Sequence, residues 1–581
     1  MSHPPLPRLT LRIGVTGHRL AALEQAGSDE TKLRDTIRDT LLRIAELTRD
    51  LHAENRQGYA DDPVLRVISP LAEGADRLVA EEGRALGYEI QTPLPFATEV
   101  YRDDFKSPDS QRAFDELLEK STAVFQLPGT RSAEKPAYEE VGRVVLRQSD
   151  LLVAIWDGKV EEGRGGTGQI VREAIASQVP VLWIRPETPD TVAGAVAHLQ
   201  QVSEAGEAAS WVAADESLPT ILHEILSLPA DRELRRFRRF LHERQPRFRA
   251  AISYRLFCRM FVWNWPLPKL RVSSFERSEP FVWADVLADL CADRYRSSFL
   301  GTYFLGAFAV LTALLGAQAG ELPASFQPFP DAHGWFWVEL GMIAAILLLV
   351  GLNKWGRWHE RWIDYRLLAE GLRQMRFLAP FARVTPHFEV PPHLSEHNPR
   401  STWFNWYFRA LVRQMDLPRA KVDEQYLGTC KALLEAEIDG QIRYHRNNEQ
   451  RLRSLGHRLH RLSITLFVLT FIACLLHLEI LVPSETVLGT HSQGLLALFA
   501  IVLPAFGASI QGFLHQGELG RLARRSGALK NRLEELKVFL NGPRQPSFRL
   551  LGETAEGFSR LQLQEQTDWR SVFISKEVTP P

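Results

Sequence analysis

Four short segments carry residue types suited to a phosphorylated ligand. Gly14-Val15-Thr16-Gly17-His18-Arg19 joins two glycines, which allow close backbone approach, to a hydroxyl, an imidazole and a guanidinium. Ser69-Pro70-Leu71-Ala72-Glu73-Gly74-Ala75-Asp76 sets a glycine just before a helical pattern whose first amides suit an anion. Beside that terminus, Glu73 and Asp76 are placed to cap the helix or to hold a ribose. Leu94-Pro95-Phe96 is a sharp exit whose ring either stacks on a base or fills a crevice. Trp156-Asp157-Gly158 leads into the glycine-rich loop Gly163-Arg164-Gly165-Gly166-Thr167-Gly168 and a further helical pattern at 169–177. Each segment alone has a plainer account as a turn, a cap or a filler, but the ordered set points to a nucleotide-type ligand. No Gly-Lys-Ser/Thr follows a four-residue spacer, and no G-x-G-x-x-G follows the first strand pattern, which excludes a Walker A motif and a dinucleotide fingerprint.

The elements that must position these residues are short β-rich runs alternating with helical patterns. Strands are expected at 9–15, 64–69, 88–94, 123–127, 151–156 and 179–184, with helices at 30–55 and 75–86 among those between them. Such alternation implies βαβ units and a parallel sheet covered on both faces. The expectation is a doubly wound, Rossmann-like α/β domain over residues 7–228. All four segments then fall at carboxyl ends of strands, where open sheets bind ligands at a topological switch point.

The chain has 581 residues and a net charge of -1. Its first 200 residues hold 24 Lys plus Arg against 32 Asp plus Glu, so no nucleic-acid partner is expected there. Four cysteines without C-x-x-C spacing indicate neither a zinc site nor a disulfide framework. No metal or cofactor is expected beyond the nucleotide-derived ligand. The first residues lack the charged and apolar regions of a signal peptide, so a cytoplasmic N-terminus is expected.

Four apolar stretches, at 298–317, 335–352, 464–482 and 495–514, are each long enough to cross a bilayer as a helix. The loops 318–334 and 483–494 carry no Lys or Arg. The opposite flanks hold Arg294 and Arg296, then Lys354, Arg357 and Arg361, then Arg453, Arg458 and Arg461, then Arg521, Arg524 and Arg525. The positive-inside rule turns both loops outward and both termini toward the cytoplasm. Domain boundaries follow: a helical juxtamembrane segment at 229–296, a two-helix transmembrane unit with a cytoplasmic helix at 297–380, a cytoplasmic helical segment at 381–460, a second such unit at 461–545 and a tail at 546–581. Polar helices are expected to continue from the second and fourth spans, over 356–377 and 516–540. Glu339, His477 and Glu479 fall near outer ends of spans, where hydration accounts for them. Four helices enclose no wide channel, so a pore would require a homo-oligomer.

The segments 14–19, 71–76, 94–96 and 157–167 resemble the motifs of the SLOG superfamily, Rossmann-like domains related to LOG proteins and DNA-processing protein A. The paired spans followed by polar helices resemble SLATT domains, two-helix membrane effectors associated with SLOG partners. The resemblance implies a sensor of a nucleotide-derived second messenger in bacterial anti-phage defence, with spans that permeabilise the inner membrane. LOG enzymes, which cleave N-glycosidic bonds of nucleoside monophosphates, use a Pro-Gly-Gly-x-Gly-Thr-x-x-Glu pattern; here the glutamate position is Ile170, and the nearest carboxylate is Glu173. A shift of three residues along a helix moves a side chain roughly 4.5 Å axially and to another azimuth, which disfavours hydrolase chemistry. The alternatives are a membrane-tethered hydrolase of NAD-like or nucleoside phosphate substrates that recruits Glu73 or Asp157, and a membrane scaffold for a cytoplasmic partner.

Overall fold

The computed structural model describes residues 4–25, 27–159, 165–189, 191–195, 211–243, 251–268, 279–317, 332–384, 401–478, 490–543 and 545–573. Gly163, Arg164, Glu479 and most of the loops 318–334 and 483–494 lie outside the described residues. The chain divides into two compact units: 1–243 with 370–436 and 540–564, and 244–369 with 437–539 and 565–581.

The first unit is an α/β domain built on nine strands: β1 (Arg8–Gly17), β2 (Ala60–Ile68), β3 (Glu89–Leu94), β4 (Ala123–Gln126), β5 (Leu151–Ile155), β6 (Val181–Ile184), β7 (Val192–Ala195), β8 (Val212–Ala213) and β9 (Ala420–Lys421). Their order is β8-β7-β6-β5-β1-β2-β3-β4-β9, parallel throughout except where β7 and β8 close one edge. From β1 the chain lays β2, β3 and β4 to one side, then returns to place β5 on the other side of β1. The switch point of the sheet is therefore between β1 and β5.

β1 is central because both of its faces are apolar or internally paired. Leu9, Leu11, Ile13 and Val15 are buried, and so are Thr10 and Arg12 on the alternate face. Arg12 is tolerated there because Asp150 receives its guanidinium at 3.1 Å. The helix Glu30–Glu54 covers the sheet with Leu33, Ile37, Leu41, Ile44 and Leu51, a row at helical spacing. Its start is fixed by Asp29, whose carboxylate accepts from the amides of Thr31 and Lys32.

Residues distant in sequence complete this unit. β9 pairs in parallel with β4, and Arg413 reaches Asp150 at 3.1 Å. Asp416 accepts from Arg66 and from Gln91, each at 2.9 Å. Residues 546–581, expected as a tail, contain the helix Phe548–Phe573, whose Phe548 packs on Phe125 of β4 with ring centroids 5.8 Å apart.

The second unit is helical and, among the described residues, contains four helices long and apolar enough to cross a membrane: Pro280–Ala317, Ala332–Gly356, Glu424–His477 in its later part, and Thr490–Gly517. On the second, Trp337 and Trp355 are both largely exposed. They stand eighteen residues apart, a helical rise of about 27 Å that matches a hydrocarbon core. Glycines set the close approaches between spans. A Cβ at Gly512 would meet the Tyr303 ring at 2.4 Å, and one at Gly507 would meet Phe467 at 3.0 Å. Ser463 donates to the Gly507 carbonyl at 3.2 Å, tying the third span to the fourth.

The polar helices that follow the second and fourth spans are separate helices rather than continuations. The chain breaks at Arg357 and again at Glu518, then resumes as Trp358–Leu378 and Leu519–Leu540.

Candidate functional site

A cleft of about 600 Å³ opens at the carboxyl ends of β1 and β5 in the first unit. Its walls come from the β1 exit (Thr16, Gly17, His18, Arg19), from Pro70, Ala72 and Asp76 beyond β2, from Trp156, Asp157 and Lys159 beyond β5, and from Gly165 to Gly168 and Ile170. The helix Glu134–Arg147 adds Lys135, Tyr138 and Gly142, and Tyr101 lines it as well.

The sequence segments thus converge, though not every residue of them reaches the cleft. Thr16, Gly17, His18, Arg19, Asp76, Asp157, Gly165, Gly166 and Thr167 line it. Gly14, Leu71, Glu73, Gly74, Pro95, Phe96 and Gly158 are not among its lining residues. For most of them the structure shows packing or backbone contacts. A Cβ at Gly14 would meet Ser149 Oγ at 2.0 Å, so this glycine seats the helix Glu134–Arg147 and its exit on β1. Gly74, at φ +106, pairs with Arg19 across an isolated bridge, and the Glu73 carbonyl accepts from the Leu20 amide at 3.3 Å. The amide of Ala75 donates to the His18 carbonyl at 3.1 Å, so the first turn of the helix Ala75–Ala85 holds the β1 exit loop in place. Leu71 is fully buried at φ +58, with its amide on Ser69 Oγ at 3.1 Å. The Pro95 carbonyl would lie 2.2 Å from a Cβ at Gly129, a close crossing of two loops. Phe96 is buried behind the cleft wall, edge-on to Tyr138 at 5.5 Å and under the Arg131 guanidinium at 4.6 Å. It fills a crevice and offers no face to a base.

The helix Thr167–Ala176 begins at Gly166 with no side-chain cap. Its first amides have no intrahelical acceptor and, with the helix dipole, favour an anion. Gly165 reaches this turn at φ +86 and donates its amide to the Gln169 side chain at 2.9 Å. Gln169 also donates to Glu173 at 2.8 Å. Glu173 is gripped in two-pronged fashion by Arg143, at 3.0 and 2.8 Å, which holds its carboxyl below the usual range. It does not line the cleft, whereas Ile170 does, packed over Gly142.

Two carboxyls do line the cleft, in opposite environments. Burial pushes Asp76 up to about 7, against the pull of Arg19. Partial burial opposes ionisation of Asp157, but hydrogen bonds from Lys159 and His18 outweigh it and bring the group to about 2. Lys159 approaches Asp157 at 2.9 Å, and His18 Nε2 lies 3.1 Å from Asp157 Oδ1 and 3.2 Å from its amide nitrogen. One imidazole nitrogen cannot serve both, so its protonated form faces the carboxylate and its bare form accepts from the amide. Asp104, itself not a lining residue, gathers Arg19 at 3.4 Å, Arg131 at 2.6 Å and the Tyr138 hydroxyl. Arg19 also stacks over the Tyr138 ring at 5.0 Å.

Sequence reading missed Lys135, Tyr138 and Gly142. They lie on one face of a helix that follows β4, at i, i+3 and i+7. The available signal was a cation, a phenol and a glycine where a sheet-covering face would be apolar. Compared with protein-family models and with curated proteins, the chain matches none.

Proposed function

We propose that the chain is a membrane effector in which a nucleotide-derived signal, bound in this cleft, controls permeabilisation of the membrane by the spans. The observation that carries this reading is a glycine-lined cleft at the switch point between β1 and β5, on the same chain as four apolar helices. Phosphate sits at the first turn of the helix Thr167–Ala176, with Lys135 and Lys159 near it, and Trp156 supplies an apolar wall. The resemblance to SLOG and SLATT domains adds the setting: bacterial anti-phage defence, the inner membrane, cytoplasmic termini, and several copies of the chain around any pore. A ligand shifts the closed-to-open equilibrium only by its differential affinity for the two states.

The test is dye release from liposomes carrying the full chain, with a panel of mono-, di- and cyclic nucleotides. Release should require a nucleotide and vanish in Gly166→Arg, which projects a side chain into the anion site. Equal release with and without nucleotide, or from the variant, sinks the reading.

A second reading, a tethered hydrolase, draws on one observation: Asp76 and Asp157 line one cleft with acidities driven apart, a pattern of acid and base pairs. Recovery of every candidate nucleotide intact after long incubation with the full chain removes it.

A further inference from the structure

The cleft changes character across the sheet. On the β5 side lie the uncapped helix terminus at Gly166 and the ammonium of Lys159, itself paired with Asp157. On the β2 side lies Asp76, only 9% exposed, whose Oδ1 has no hydrogen-bond partner among the described residues. Large majorities of buried polar side-chain atoms in folded proteins are paired, so an orphan lining a cleft asks for a reason. Local structure does not provide one. Ser69 Oγ donates to the Asp76 backbone carbonyl at 2.8 Å and leaves the carboxyl alone. Arg19, the cation that acts on Asp76, is committed to Asp104 and Tyr138. Beside Asp76 stands Tyr101, nearly fully buried and also lining the cleft.

We propose that Asp76 is the sugar-reading residue of the cleft, its carboxyl partnered by a ribose hydroxyl of a ribonucleotide whose phosphate lies at Gly166 and Thr167. The proposal rests on the reading of the cleft as a nucleotide site. β5 and β2 flank β1, so the two ends of the cleft stand two strand spacings apart, about 10 Å. That span exceeds a phosphate and suits a nucleoside phosphate lying across β1. The cation at the Asp76 end, Arg19, is held by Asp104 and Tyr138, whereas the helix terminus at Gly166 is uncapped, and this difference fixes the polarity. A hydroxyl both donates and accepts, so it satisfies the carboxyl whether ionised or neutral.

The experiment is isothermal titration of the detergent-solubilised full chain. The probes are the four ribonucleoside monophosphates, their 2′,3′-dideoxy counterparts and inorganic pyrophosphate. At least one ribonucleotide should bind about tenfold or more tightly than its dideoxy counterpart, because a site built to pair a hydroxyl rejects the analogue that lacks it. In Asp76→Ala that ratio should collapse below about threefold, with Asp76→Asn between the two. Equal affinity of the ribo and dideoxy forms for the unaltered chain, or an undiminished ratio in Asp76→Ala, overturns the assignment while leaving a nucleotide site. Binding of pyrophosphate alone overturns the sugar subsite and reduces the nucleotide reading to a phosphate cradle. No heat from any probe overturns both.

Discussion

Arg357 and Glu518 occupy the same place in the two span pairs. Each follows the glycine that ends a returning span (Gly356, Gly517), each adopts φ +49, and each forms an ion pair three residues on, with Glu360 and Arg521 respectively. The charges are exchanged between copies, yet the backbone does the same thing. The repeat that sequence suggested only in outline therefore has a structural signature, a left-handed residue that re-aims the polar helix after it. A non-glycine residue in that conformation costs roughly 1 to 2 kcal/mol, and a helix-flanking ion pair returns less than about 1. Arg357→Gly is expected to stabilise the detergent-solubilised chain by up to about 1 kcal/mol, read as a higher Tm; a fall of comparable size would refute the account.

Gly74 carries the opposite expectation. A Cβ there would come within 2.6 Å of the Leu20 nitrogen and 2.7 Å of the His18 carbonyl oxygen, both backbone atoms that cannot swing aside. Strain from φ +106 adds to the collision. Gly74→Ala should cost about 1 to 3 kcal/mol and displace the β1 exit loop, so nucleotide affinity and Tm fall together. Gly166, at φ -80, carries no such backbone demand. Gly166→Ala should keep the parent Tm, and the contrast between these two glycines is the check.

The contrast also shows how far the sequence could be read. Short apolar runs marked the six central strands because most of their residues are buried, and the four long helices were plain because a segment able to cross a bilayer must be an unbroken apolar run. β7, β8 and β9 were not legible: they are two to four residues long and sit at or near sheet edges, where pairing rather than patterning defines a strand. The return of residues 401–423 to the sheet was equally hidden, since it depends on single long-range partners such as Asp416 with Arg66. Within the cleft, glycine segments announced the loops but not which glycines faced inward. Gly14 and Gly74 serve packing, and Gly17 serves both, since a Cβ there would meet Ala75 Cβ at 2.4 Å.

Asp150 should be the most sensitive charged position in the α/β unit. It accepts from Arg12 and from Arg413, and its own surroundings are buried. Burial opposes its charge, but the two guanidinium groups prevail and bring it to about 2. Asp150→Ala would strand two cations in the interior and is expected to cost about 3 to 5 kcal/mol. Adding Arg413→Leu to that variant should cost much less than Arg413→Leu costs alone. A simple sum of the two single effects in a double-mutant cycle would show that the pair is not coupled.

Asp76 should give the unit an inverted pH dependence over a window that Asp150 leaves clear. Its ordinary value is 3.8, and burial raises it to about 7 in the folded chain. Between those values the folded state holds a proton that the unfolded state has released. Stability therefore falls as pH rises through the window and levels off above it. The loss is at most about 4 kcal/mol, from three units at 1.36 kcal/mol each. Asp150 acts with the opposite sign and lower down: its depressed value means that stability is lost as pH falls from about 4 toward 2. Thermal melts of the ligand-free chain from pH 4.5 to 8 isolate the Asp76 contribution, and Asp76→Asn should flatten the profile by raising Tm at pH 8 while leaving pH 4.5 nearly unchanged. A variant whose Tm tracks the parent across the whole range would mean that the carboxyl is not held neutral in the fold. Saturating ribonucleotide should also shrink the slope, because a bound hydroxyl gives the ionised carboxylate the partner that burial denies it.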